Sequence, residues 1–550
     1  IICNGVSFAN SVLIDNTTPS STTGLLNNGI AQLGDAFFLT GTSKLLQVVS
    51  GTFRAVSYNV TTVAFSAASA AGEVKMGSGT WSLTGTGTVW SNSSSNLFAE
   101  TANIILTDTS TTNRVFASSG FATYNKVTIG GTTGTSTTSF TGSNVYQELA
   151  STKTVAHTIS FGSNTNSFGR WTVTGTVGNV VTITGNSTHA LLCGAVTGID
   201  YLAMGTFGFN NSNSNGEFYA GANSTGTAAA PVYRTAAPAP RTLYWVGGTG
   251  NWSDTAHWST SSGGAGGSAI PTSLDAVNFN SASSAASYTV TVDAGVATAR
   301  CAALTMNGPA AGSVTFTGAV GIAINGSASF ASGVVSASTY TGLIGLGGYF
   351  GGSYTFTSNG TVFQTSFYVG TWGVTWSLGS ALNCGTGSAA FSPDYGTINT
   401  AGYALTCGMV SGTSSATRTL NLGASTVSVG VSISGGIFNL DKRLILNAGT
   451  SSITLIGYIG GNSFSGGSHT FYNVTINAAS SMNPPHYISG QNTFNNLTLV
   501  SSSFTIIPVS FYNNQTVTGT LTASGTGTRN RVFLCSTTLG TQRTLTVGTL

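Results

Sequence analysis

Two stretches decide the fold: HTFYNVTI at residues 469–476 and NTFNNLTL at residues 492–499, which begin 23 positions apart and share F-x-N-(V/L)-T-(I/L). In each, apolar residues alternate with hydroxyl or amide side chains, the period of a strand with one buried face. A degenerate pair, YNKVTI at 124–129 and VYQEL at 145–149, repeats the arrangement, so a period of about 22 residues recurs. That length suits one coil of a parallel β-helix, in which each coil supplies two or three short strands and equivalent strands stack about 4.8 Å apart. The pattern predicts that Val474 and Ile476, like Leu497 and Leu499, point into the core. It places the asparagine at a corner, where Asn473 and Asn496 stack as a hydrogen-bonded amide ladder.

Composition fits such a column. Of 550 residues only 16 are Lys or Arg and 13 Asp or Glu, while hydrophobic residues make up 41% and aromatics 10%, which argues against disorder. Stacking in register sets like residues over one another, where like charges repel but Thr over Thr or Ser over Ser can pair. A net charge of +3 without any Lys/Arg cluster supports neither nucleic acid nor an acidic membrane as partner, and no apolar run is long enough to span a bilayer. The chain opens IICNGVSF without Met or a charged leader, so a signal peptide is expected to be absent or already removed. Helix signals are nearly lacking, whereas segments such as WSLTGTGTVW and RTLNLGASTVSV alternate between Gly, Asn and Ser turns. The fold class is all-β: right-handed parallel β-helix modules in tandem, of about 25 coils and on the order of 120 Å at the strand spacing, with a string of small β-sandwiches as the alternative.

A longer repeat organises the chain. GTF at 51–53 aligns with GTI at 396–398, MGSGTWSL at 76–83 with LGASTVSV at 422–429, and YNKVTI with FYNVTI. RWTVTGTV at 170–177 matches NQTVTGTL at 514–521, and HALLCG at 189–194 matches RVFLCS at 531–536, so the offset stays near 345 residues. Between the copies, GTAAAPVYRTAAPAPRT at 226–242 packs prolines that cannot donate to a strand ladder and reads as a semi-rigid linker. Residues 1–225 are then the later part of a first module, 226–242 a linker, 243–300 an aromatic-rich start of the second module and 301–550 its body.

That start, LYWVGGTGNWSDTAHWS at 243–259, holds three of the eight tryptophans. Tyr244, Trp245, Trp252 and Trp258 form either a stacking platform for sugar rings or, as their place at a module boundary favours, a cap over the open end of the solenoid. Asp254, His257 and Asp275 are close enough in sequence to raise a metal site, but no ligand spacing supports it, and no cofactor is called for. Asp200 with Glu217, and Asp275 with Asp293, are the acid pairs that a glycan-cleaving site would use; turn roles are the simpler reading, and no catalytic residue is assigned. The five histidines form no ligand pattern, and GGTG at 247–250 precedes no helix and is no phosphate loop. Cys384 and Cys407, 23 apart, are expected on adjacent coils, as a disulfide or, better, as two buried small side chains; Cys193 and Cys535 occupy matched core places.

The stretch at 244–279, the run from ALTCG to STVSV at 404–429, the HTFYNVTI coil and FYAGANST at 218–225 together resemble long repetitive proteins encoded by phages and environmental bacteria. The resemblance implies a tail-fibre, tailspike or other virion-surface component in phages, or a secreted adhesin in bacteria, and brings no catalytic residues. It implies self-association, commonly as a trimer, with other virion proteins and host surface polysaccharide as partners. The function expected is a non-enzymatic structural fibre on the virion surface that attaches to the host; a glycan-degrading tailspike and a bacterial extracellular adhesin or matrix fibre are the alternatives. The first module lacks the start signature and the second stops before a FYAGANST-like end, so the 550 residues are expected to be part of a longer repetitive chain.

Overall fold

The computed structural model describes residues 7–8, 10, 12–14, 30–67, 72–119, 122–212, 214–226, 229–385, 387–412, 414, 416–431, 437–457, 463–478, 486–501, 506–527 and 530–549. The chain is all-β, 50% strand and 1% helix, arranged as a parallel β-solenoid of about 20 turns. This is fewer than the 25 expected because coil length is not fixed. Ala390 sits over Met409, 19 positions on, whereas Gly250 sits over Val290, 40 positions on. The chain divides into two compact units, residues 1–238 and 239–550.

Unit 1 carries two ten-stranded sheets, one from Ser7–Phe8 to Ala190–Leu191 and one from Val12–Ile14 to Thr225–Gly226, with a four-stranded and a three-stranded sheet beside them. Its coils follow the short period: Thr80 pairs with Asn103, Asn103 with Lys126 and Lys126 with Glu148, all in parallel. The strand Thr80–Leu83 shows why the sequence folds this way, since Trp81 and Leu83 are fully buried while Thr80 and Ser82 face outward. Burial of each such side chain contributes roughly 1.5–3 kcal/mol, and stacking repeats the gain on every coil. Rings line up accordingly: Tyr124 lies 5.9 Å from Tyr146, which lies 5.7 Å from Phe168.

Unit 2 holds sheets of ten, four, eleven and eight strands. Val474, Ile476, Leu497 and Leu499 are all buried, as the pattern predicts, and Asn496 Nδ2 donates to Asn473 Oδ1 at 2.9 Å. The corner is not a break between strands. Thr470–Ala478 and Thr493–Ser501 run straight through the asparagines, and the bend is a slip in alternation that turns both Phe494 and Leu497 inward.

The long repeat is visible in the backbone. Gly51 and Gly396 have φ of 74° and 68°, Val56 and Ala401 of 59° and 55°, Gly77 and Gly423 of 73° and 56°, and Gly142 and Gly490 of 85° and 84°. Left-handed φ is costly for Val and Ala, so its recurrence at Val56 and Ala401 marks one turn built twice. The same turn is closed by matched bonds, Tyr58 N to Ala55 O at 3.0 Å and Tyr403 N to Thr400 O at 2.9 Å. At Gly77 a side chain is excluded outright, because a Cβ would lie 1.5 Å from Val56 O. Part of the Ala/Pro-rich stretch belongs to a coil rather than a linker: Val232–Tyr233 pairs in parallel with Phe218 and Tyr219 of Glu217–Tyr219. The ends of the stretch join ladders as well, Gly226 pairing with Met204 and Thr242 with Ala276.

Candidate functional site

The aromatic stretch at 243–259 was the strongest candidate, and its geometry is that of a core. Thr242–Trp245 pairs in parallel with Ala276–Phe279 and, on its other edge, in antiparallel with Trp258–Ser259, the one antiparallel pairing between the described strands. Trp245, Trp252 and Trp258 are each 0% exposed. Trp258 meets Trp245 edge-on at 5.0 Å and Trp252 at 4.9 Å, and Trp245 stacks on His257 at 4.7 Å. The indole Nε1 of Trp245 donates to Gly248 O at 2.7 Å and that of Trp258 to Trp252 O at 2.8 Å. These three rings therefore present no face to a sugar, which corrects the platform reading; Tyr244 alone of the four is half-buried. The glycines of GGTG serve the same packing. Gly247 and Gly248 turn the chain at φ of 80° and 75°, and Gly250 leaves room for His257, whose Nε2 a Cβ would meet at 2.0 Å.

The acids bind locally. Asp275, fully buried, accepts from Arg241 Nε at 3.0 Å, Arg241 Nη2 at 2.6 Å, Arg241 N at 2.9 Å, and Thr272 N and Oγ1 at 2.8 Å each. Burial pushes its carboxyl up, but the bonds from Arg241 and Thr272 outweigh that and hold it below the ordinary carboxylate range. Asp293 clasps Ser253 of the preceding coil through N at 3.0 Å and Oγ at 2.6 Å. Asp200 likewise clasps Asn223 of the following coil, at 2.9 Å to N and 2.7 Å to Nδ2. Glu217 accepts from Tyr219 OH at 3.0 Å. Asp254 caps the 3₁₀ turn Thr255–His257. Among the described residues no group of three His, Cys, Asp or Glu side chains is placed to hold a metal ion.

Cys384 and Cys407 follow residues paired in register, Asn383 over Thr406, and both are buried free thiols. Cys193 is likewise buried, but its counterpart Cys535 is only partly so, and Cys3 lies outside the described residues. His189 is fully buried beside Phe161 and Phe207, and burial drops its pKa to about 4. Ser151 Oγ and His157 Nε2 are 3.0 Å apart, with His157 Nδ1 on Val155 O at 2.8 Å.

Sequence reasoning passed over two groups. Buried cations are the first: Arg114 donates to Leu106 O at 3.3 Å, Ser136 Oγ at 3.2 Å and Thr138 Oγ1 at 3.1 Å, and Arg418 to Pro393 O and Ala416 O at 2.8 Å each. Burial, helped by the nearby Arg114, lowers the Lys153 amine to about 8. The second is a pair of surface rings on successive coils, Phe350 and Trp372, with centroids 5.0 Å apart. Alternation does not reveal them: in GGYFGG and GTWGV each ring precedes a glycine and is in phase with the buried Phe356 or Trp376 of the strand that follows. Comparison with family models, with curated proteins and with solved structures gave no match in any of the three.

Proposed function

We propose that the chain is a non-enzymatic structural fibre protein of a phage virion surface, with attachment to the host as its accompanying role. The observation that carries this reading is where the side-chain chemistry is spent: on joining one coil to the next. Asn496 on Asn473, Asp293 on Ser253 and Asp200 on Asn223 all bridge neighbouring coils, and the buried arginines serve backbone carbonyls within the column. Such a body resists bending and proteolysis through repetition, since each coil is held by both neighbours. Unit 2's eleven-stranded sheet alone extends for about 50 Å at the usual strand spacing. Low charge on a hydroxyl-rich surface suits an exposed fibre that must avoid nonspecific electrostatic capture.

Immunogold labelling with antibody raised to the chain tests the assignment. Gold on fibres or spikes projecting from phage particles is expected; gold confined to bacterial cell surfaces would replace it with the adhesin reading. Shortening of surface polysaccharide on incubation with the protein would overturn its non-enzymatic character.

A further inference from the structure

We infer that Phe350 and Trp372 form a stacking platform for the pyranose rings of a surface polysaccharide; the inference rests on the attachment role proposed above. Phe350 is 46% exposed and Trp372 is half-buried. They occupy equivalent turns of successive coils, because Gly351 N donates to Gly373 O at 2.8 Å and the strands that follow pair Ser353 with Thr375. The turn that carries the first ring is held in place. Tyr349 OH donates to Ser273 O at 2.7 Å, and Tyr349 N donates to Tyr354 OH at 3.1 Å, which pins the chain on the N-terminal side of Phe350. The Phe350 ring lies over Gly373, where a Cβ would come within 2.5 Å of its Cδ2. The platform is thus pre-organised rather than a loose hydrophobic tip.

The surroundings fit a sugar better than a protein. Ser353 and Thr355 beyond the first turn are exposed, and Thr375 and Ser377 beyond the second are half-buried, stacked in register as two hydroxyl columns. The second column continues into Asn399, Asn421 and Asn447, each one coil further. A sugar ring offers an apolar C–H face to an aromatic side chain and hydroxyls to such a polar border. Two rings on a surface of glycine, hydroxyl and amide make a narrow patch, whereas a stable protein interface needs about 800 Å² on each side. The matching turn of the next coil carries Asp394 beside buried Tyr395, which ends the aromatic run.

The test uses an array of purified bacterial surface polysaccharides, with the full chain and its Phe350→Ala/Trp372→Ala double variant. Retention of at least one polysaccharide by the unsubstituted chain is expected, with binding at least about tenfold weaker in the variant and an unchanged circular dichroism spectrum. Phe350→Leu/Trp372→Leu, which keeps apolar bulk but no flat face, should weaken binding in the same direction and guards against misfolding of the double variant. Equal binding by both proteins would overturn the site while leaving attachment standing. Failure of the unsubstituted chain to bind any polysaccharide would overturn both. A change in oligomeric state with glycan binding unaltered would reassign the rings to contact between copies. Loss of binding in the variant, together with absence of the chain from virions, would sink the fibre reading and keep the site.

Discussion

Units 1 and 2 build the same corner of the coil from different chemistry. In unit 1, Lys126 stacks on Glu148 with an ion pair of 2.8 Å, and Arg170 on the next coil approaches Glu148 at 3.5 Å. The matched positions in unit 2 are Asn473 and Asn496, joined to each other at 2.9 Å and flanked by Ser452 below and Thr520 N above, at 3.0 and 2.9 Å. A second column repeats the contrast. Unit 1 sets Arg54 over Lys75, relieved by Glu73 at 3.6 Å and by the Phe98 ring. Unit 2 has Asn399, Asn421 and Asn447 in the same places: Asn447 donates to Asn421 and Asn421 to Asn399, whose own amide donates to Ser377. Registered stacking demands that a side chain complement itself. An amide does so indefinitely because it carries both donor and acceptor, whereas a charge must find the opposite sign or a ring within one coil.

The largest expected effect comes from reversing the centre of the charge column. Glu148→Lys leaves three cations in register and should cost about 2–4 kcal/mol, read as lost hydrogen-exchange protection over 123–151 with 470–501 unchanged. Equal loss in both segments would mean that the columns are not local devices. Acid comes next and should not discriminate between the units. Burial holds His189 of unit 1 and His486 of unit 2 each at about 4, against about 6.5 when unfolded. The folded state therefore binds protons less readily than the unfolded one; stability is full above the unfolded value and falls as pH drops toward 4, by about 2 kcal/mol per histidine at pH 5. Thermal unfolding at pH 7 and pH 5 checks this, and His189→Phe should flatten the acid slope of unit 1 alone. Breaking the amide column by Asn496→Leu, which strips partners from Asn473 Oδ1 and Thr520 N, should cost about 1–2 kcal/mol. Smallest is Glu148→Gln, which converts the charge column toward the amide type. Because Lys126 and Arg170 are more than a third exposed, screening limits the loss to about 1 kcal/mol or less. The protection of this region should then cease to fall between low and 1 M salt.

Much of this was legible in the sequence, and for a physical reason. The short period and the inward Val, Leu and Ile positions follow from alternation, which a stacked strand must obey on every coil. The Asn473–Asn496 bond followed from placing like over like. The 345-residue repeat was readable because Gly51, Gly77 and their counterparts answer backbone demands that few residues meet. Burial of large rings was not legible. Trp252 and Trp372 each sit beside glycine or asparagine in turn-rich stretches, yet one is fully buried and the other is half-exposed. Which way a turn residue points depends on the coil above, and that is set by pairing rather than by local pattern. Asp275 was likewise misplaced as a site candidate because its partner Arg241 lies 34 positions away, in the proline-rich stretch.

Matched corner positions lie one coil apart in both units. Spin labels on cysteines introduced at 126 and 148, and separately at 473 and 496, test this by continuous-wave electron paramagnetic resonance. Strong dipolar broadening in both pairs, as for sites about 5 Å apart along a parallel sheet, is the predicted result. Narrow, non-interacting spectra in either pair would contradict the stacked-coil assignment for that unit.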